Sequence, residues 1–314
     1  AVIGRRKVNA DFLVRAGDET MSVNNGCDER GGKEPSMAGY NRIKRKLGYC
    51  KEDFMKGNDA LVARLLAARR DVQPLARPPQ GVQLSEAYGL QALGQARGGK
   101  TPMGYKLGAT SRKAQEFLQL SGPFYGRLYA QDCYQDGARL RAGDFIFRLI
   151  EPEFALVLAR DLPARAQAYD EAEVAAAVAR VCPAFEIVTS AYGAPAWTSA
   201  GAPALIADNG AHGAIILGQG RGNWDLAGLR GLAEVEARLW VDGREIGAGR
   251  GENAMGGPLT ALTWLANALR GVGSGLRAGE VVSTGVVTPF LELQAGQSAQ
   301  ADFGSLGKLG FSFL

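Results

Sequence analysis

The chain has 314 residues, 46% of them hydrophobic and 22% charged, with a formal net charge of +4. That length and composition suit a soluble globular protein with a sizeable core, and no apolar run reaches the 18 residues of a membrane span. Residues 1–55 carry 11 Lys/Arg against 8 Asp/Glu, so +3 of the charge lies there and the main body has no electrostatic case for nucleic acid or membrane partners. Cys27, Cys50, Cys133 and Cys182 show no Cys-x-x-Cys spacing, which argues against a zinc knuckle or a disulfide framework. His212 is the only histidine, so multi-histidine metal chemistry is excluded. No segment has the charged start, apolar core and small-residue cleavage site of a signal peptide, which makes the cytoplasm the expected location.

Residues 1–54 are dense in charge, Gly and Asn, without a period of 2 or 3.6, and read as a poorly ordered extension. The run Arg42-Ile43-Lys44-Arg45-Lys46 within it reads as solvated surface. A helix is predicted from Asn58, with Leu61, Val62, Leu65 and Leu66 as its apolar stripe, and a second from a Ser85 cap to Gln95, ended by Gly98-Gly99. Met103-Gly104-Tyr105-Lys106-Leu107-Gly108 reads as a short strand, and Thr110 or Ser111 caps a helix to Leu118. Lys106 is thereby placed among apolar neighbours, where a lysine is uncommon unless paired or functional.

Residues 145–158 form the stretch around which the chain is organised. They are apolar and rich in β-formers, as in a strand buried on both faces, yet include Glu151 and Glu153. Residues two apart in a strand share a face, about 6–7 Å apart. Two carboxylates so placed repel each other and lose hydration, and a divalent cation is the simplest compensation. Asp170-Glu171-Ala172-Glu173 has capping-box character and predicts a helix to about Val181, followed by a strand over residues 184–188 with Glu186 at its centre. A third acid in an apolar strand completes a set of Glu151, Glu153 and Glu186 suited to Mg²⁺ or Mn²⁺.

Ala207-Asp208-Asn209-Gly210-Ala211-His212 reads as a polar turn between apolar strands, with His212 structural. Residues 233–241 alternate as a strand before the hairpin signal Asp242-Gly243, and Pro258 opens a helix that stops at Gly271. Glycine-punctuated short strands fill the C-terminal part. The whole predicts an α+β protein with a mixed β-roll or sandwich core and flanking helices, and no Gly-x-Gly-x-x-Gly stands in a dinucleotide-binding context.

The order and spacing of several pieces resemble the 2-keto-4-pentenoate hydratase / 4-oxalocrotonate decarboxylase family of the fumarylacetoacetate hydrolase superfamily. They are Gly104-Tyr105-Lys106-Leu107-Gly108-Ala109-Thr110-Ser111, Ile150-Glu151-Pro152-Glu153-Phe154, Pro183-Ala184-Phe185-Glu186-Ile187-Val188, Ala207-Asp208-Asn209, Pro258-Leu259-Thr260-Ala261-Leu262 and Ala278-Gly279-Glu280-Val281-Val282. The resemblance implies a helical cap over residues 55–110 and a catalytic β-roll of the fumarylacetoacetate hydrolase C-terminal type over 111–314. It implies Glu151, Glu153 and Glu186 as ligands of Mg²⁺ or Mn²⁺, Lys106 as catalytic residue, and Asp208, Asn209, Thr284 and Gly285 as substrate contacts. The implied activity is metal-dependent hydration of a short 2-hydroxy-dienoate or 2-oxo-enoate in aromatic meta-cleavage catabolism, with decarboxylation of a 4-oxalocrotonate type or a non-catalytic partner paralogue as alternatives. A homo-oligomer, or a complex with a related lyase, is the implied assembly. Phe124-Tyr125 looks like the decarboxylase branch and Thr284-Gly285 like the hydratase branch, while Ala191 and His212 depart from both.

Overall fold

The computed structural model describes residues 51–197 and 199–314 of the chain; the basic run at 42–46 and residues 1–50 of the extension read over 1–54 lie outside the described residues, while residues 51–54 are helical. Among them no helix is long and apolar enough to cross a membrane. The first helix, α1 (Lys51–Arg70), begins seven residues before the predicted Asn58 start. In α2 (Leu84–Gly98) the cap is Gln83 rather than Ser85, because Glu86 accepts a hydrogen bond from the Gln83 N–H (3.3 Å), and Gly99 closes the helix in the left-handed region (φ 65°).

Two sheets carry the fold, as the α+β expectation required. The larger runs β2 (Phe124–Tyr129), β1 (Pro102–Gly108), β11 (Val281–Val286), β5 (Leu149–Leu158), β6 (Val178–Val188), β7 (His212–Leu217), β3 (Cys133–Gln135), with β12 (Leu291–Glu292) and β8 (Arg221–Gly222) pairing β5 and β6. The smaller runs β10 (Arg244–Arg250), β9 (Glu236–Val241), β13 (Ser298–Asp302), β14 (Lys308–Phe313), β4 (Ala138–Leu140). The strand expected from residue 145 starts at Leu149, and β1, assigned by sequence to the helical cap, is an inner strand between β2 and β11. The helix predicted to reach Val181 is only α4 (Glu171–Ala175). The chain from Val178 pairs instead with β5, from Leu158↔Val178 to Leu149↔Val188. Burial of Val178, Val181 and Phe185 in that pairing overrides alanine's helix propensity.

Alternation along the central strands sorts their side chains onto two faces. Ile150, Phe154, Leu156 and Leu158 of β5, with Val181, Phe185 and Ile187 of β6, meet the smaller sheet and the helix α8 (Pro258–Gly271) in the main core. There Phe154 stands edge-on to Phe303 (5.1 Å) and Phe185 to Phe311 (5.2 Å). Ala155, Val157, Cys182 and Ala184 point the other way and pack with Cys133, Ile215, Leu217 and Val281. Glu151, Glu153 and Glu186 share this second face by parity. The fold thus places the acids at one end of a dry surface of small side chains.

Gly104 lets β1 approach β11: a Cβ there would lie 1.8 Å from the Val281 carbonyl oxygen. Gly104→Ala is expected to cost about 3 kcal/mol or more by forcing those strands apart two residues before Lys106, read as a fall in the urea midpoint. An unchanged midpoint would contradict the close approach.

Candidate active site

The antiparallel register sets Glu151 directly opposite Glu186, with Glu153 opposite Ala184. One oxygen from each carboxylate lies within 4.8 Å of the others. Lys106 enters from β1, where it sits between Gly126 of β2 and Ser283 of β11. Its Nζ is 3.2 Å from Glu186 Oε1 and 5.7 Å from the centre of the Phe124 ring. Glu153, Glu186 and Lys106 are buried, and Glu151 is half-buried.

The two buried acids are each held by specific partners that leave one oxygen over. Glu153 Oε2 accepts from the Ser283 hydroxyl (2.5 Å) and the Gly285 N–H (2.9 Å). Glu186 Oε1 takes Lys106 and His212 Nδ1 (2.9 Å). Glu153 Oε1 and Glu186 Oε2 are buried without a protein partner. Unpartnered carboxylate oxygens are costly in such a place, and converging ones are donors for a hard cation. Three carboxylates against one ammonium leave two negative charges, matching a dication. The residues therefore fit a divalent metal.

The electrostatics carry the same strain. Burial, then repulsion from Glu186, pushes Glu151 up to about 7. Burial and the charges of Glu186 and Glu151 raise Glu153 well above the usual carboxylate range. Burial opposes ionisation of Glu186 too, yet Lys106 and His212 hold it below that range. Lys106 is raised in spite of its burial because Glu186, Glu151 and Glu153 all favour its charge.

The other expected contacts fall elsewhere. Asp208 meets protein groups: its carboxylate accepts from Arg69 Nε (2.5 Å) and Nη2 (2.9 Å), the Ser190 hydroxyl (2.8 Å) and the Ala191 N–H (2.8 Å). Asn209 pairs both amide atoms with the Arg127 backbone, at 2.7 and 2.9 Å. The Thr284 hydroxyl donates to the Phe154 carbonyl (2.9 Å). Gly285 contributes its N–H to Glu153 and is left-handed (φ 105°), with Thr110 Oγ1 2.1 Å from where a Cβ would stand. These four support the site from behind.

His212, read from sequence as structural, reaches the site through a β-bulge. Ile187 pairs with Ala214 but Val188 with His212, so Gly213 is skipped. The shift puts His212 opposite a residue on the face of Glu186. A Cβ on Gly213 would lie 2.7 Å from the Ile187 carbonyl oxygen, which explains the glycine. Arg69 and Ser283 also escaped sequence reading, since nothing local marks a partner supplied by a distant strand or helix.

A model of the fumarylacetoacetate (FAA) hydrolase C-terminal family matches residues 134–313. A 2-keto-4-pentenoate hydratase of Burkholderia vietnamiensis is 30% identical over 260 residues, covering 81% of this chain and 96% of that protein. A 2-hydroxyhexa-2,4-dienoate hydratase of Comamonas testosteroni is 29% identical over 268 residues, covering 83% and 98%. Among solved structures, 4-oxalocrotonate decarboxylase from Pseudomonas putida G7, complexed with magnesium and adipate, superposes with a TM-score of 0.73 at 24% identity over 83% of this chain and 98% of that one. At that identity the likeness is one of fold.

With Glu151 raised from the ordinary 4.5 to about 7 by burial and by repulsion from Glu186, the metal-free native state binds more protons than the unfolded state between those values, so stability falls as pH rises through that window. For one proton the slope is at most about 1.4 kcal/mol per pH unit. Melting of the protein in chelator from pH 4.5 to 7 should show this fall, and Glu151→Gln should flatten it. Equal slopes in the two proteins would remove the cause assigned here.

Proposed function

The chain belongs to the fumarylacetoacetate hydrolase family, and on that premise we propose that it is a divalent-metal-dependent hydratase of a short 2-hydroxy-dienoate or 2-oxo-enoate. The observation that carries the reading is the convergence of Glu151, Glu153 and Glu186 beside Lys106, with two buried carboxylate oxygens lacking protein partners. Mg²⁺ or Mn²⁺ held by the three glutamates would supply a Lewis acid for the carboxylate and 2-oxygen of such a substrate and so draw electrons along its conjugated chain.

The chain's own residues do the rest. Ser283 and the Gly285 N–H fix Glu153, and His212 fixes Glu186, so two ligand oxygens are aimed before anything binds. Lys106 holds its proton at Nζ under the influence of three carboxylates. From there it stabilises charge that develops on the 2-oxygen, hands its proton to the terminal carbon and recovers the one that the 2-hydroxyl gives up as the dienol becomes the ketone. Water then adds at the distal alkene carbon, and Lys106 is the group placed to move the accompanying proton.

Phe124, beside the Lys106 ammonium, packs with Ala87 and Ile206 into an apolar wall. That wall suits the hydrocarbon end of a dienoate, whereas a second carboxylate would lose hydration against it. Although Phe124-Tyr125 resembles the decarboxylase branch in sequence, that wall and the hydratase names of the relatives at about 30% identity support hydration over decarboxylation of a diacid.

The test is an ultraviolet assay with Mg²⁺ or Mn²⁺, offering 2-hydroxypenta-2,4-dienoate and 2-oxohex-3-enedioate in parallel. Metal-dependent loss of the dienol absorbance to a hydrated product is expected, and CO₂ release from the diacid alone would move the assignment to the decarboxylase. Lys106→Met should lower kcat by about 10²–10⁴-fold with metal binding retained. Glu153→Ala should abolish both activity and Mn²⁺ binding, and undiminished Mn²⁺ affinity would sink the metal assignment.

A further inference from the structure

Arg69 stands in the last turn of α1, outside the matched residues 134–313. Every guanidinium nitrogen is engaged. Besides its paired bonds to the Asp208 carboxylate, Nη1 donates to the His212 carbonyl (2.7 Å), and Nη2 to the carbonyls of Thr189 (3.0 Å) and Asp208 (3.0 Å). One side chain thus ties the end of β6, three residues past Glu186, to the turn over residues 208–212 and to the start of β7.

That turn has a backbone needing such support. Asn209, Gly210 and Ala211 are all left-handed, at φ 54°, 63° and 59°. For a buried alanine this costs on the order of 1 kcal/mol and persists only where the surroundings over-determine it. Asn209 is locked to Arg127 from one side, and the Arg69–Asp208 pair holds the other. The turn touches both working groups. A Cβ on Gly210 would lie 3.3 Å from Lys106 Cε and 3.0 Å from the Phe124 ring. His212, at its end, gives its Nδ1 proton to Glu186, since an ionised carboxylate can only accept.

We propose that Arg69 is a positioning residue of the active site: it holds the 208–212 turn in the shape that presents His212 to Glu186 and backs Lys106. The inference rests on reading the acid cluster as the metal-dependent centre. Its distinguishing claim is that α1 belongs to the catalytic apparatus and is more than a covering helix. Lysine cannot replace arginine here, because one ammonium cannot reach a carboxylate and three carbonyls in the fork geometry.

The test uses the full chain and two readouts. His212 is the only histidine, so in protein carrying ¹⁵N-histidine its ring resonances have no competitors, and the wild type should show a hydrogen-bonded Nδ1–H. Arg69→Met and Arg69→Lys, checked for folding by circular dichroism, should lose or broaden that signal and bind Mn²⁺ about 10–100-fold more weakly. A folded variant that melts earlier but keeps either the wild-type signal or the wild-type Mn²⁺ affinity overturns the proposal. If Arg69→Met does not fold, Arg69→Lys and Asp208→Asn decide it by the same criteria. If the wild type binds no Mn²⁺, the metal reading fails separately, and the ring signal alone decides the role of Arg69.

Discussion

Three converging carboxylates, two of them buried where water cannot solvate them, are the constraint from which the rest of the site follows. Glu153 and Glu186 are fully buried and Glu151 lies directly across from Glu186. Such a cluster is tolerable only if opposite charge and hydrogen-bond donors converge on it. Lys106, His212, Ser283 and the Gly285 N–H are those groups, and they come from β1, β7 and β11. The donors satisfy half of each buried carboxylate. The other half has no protein partner, a donor set that fits a cation.

This arrangement explains the distribution of small side chains. Ala155, Ala184, Cys182 and Cys133 line the same face of the sheet as the acids, packed to near-complete burial. They close the surface beyond the acids and confine polarity to one end. The opposite face carries the bulk of the hydrophobic core, with its Phe154–Phe303 and Phe185–Phe311 contacts. Strands β5 and β6 therefore do two tasks at once, one on each face, which is why their sequences are apolar apart from the three glutamates and Arg180.

The family match begins at residue 134, yet Lys106 and Arg69 both precede it. The N-terminal part of the described chain places Lys106 beside the acids and Arg69 against the 208–212 turn, so the site spans more of the chain than the matched region. The second contact matters because the turn at 208–212 bears both on Lys106 and, through His212, on Glu186.

The sequence by itself determined what depends on local periodicity. Glu151 and Glu153 had to share a face because strand side chains alternate, and their apolar setting made the charge problem visible; Lys106 and Glu186 stood out by the same apolar setting, and the family resemblance gave them roles. Left to local reasoning, the alanine-rich stretch after Asp170 read as a helix to about Val181, and pairing with β5 made its end, from Val178, strand. Asp208 and Asn209 matched substrate contacts in sequence, but their polar atoms meet Arg69 and Arg127, residues 139 and 82 positions away. His212 joined the site through a bulge at Gly213. Register, bulges and distant ion pairs are set by backbone hydrogen bonds between segments far apart in the chain, and no local pattern encodes which of those bonds will form.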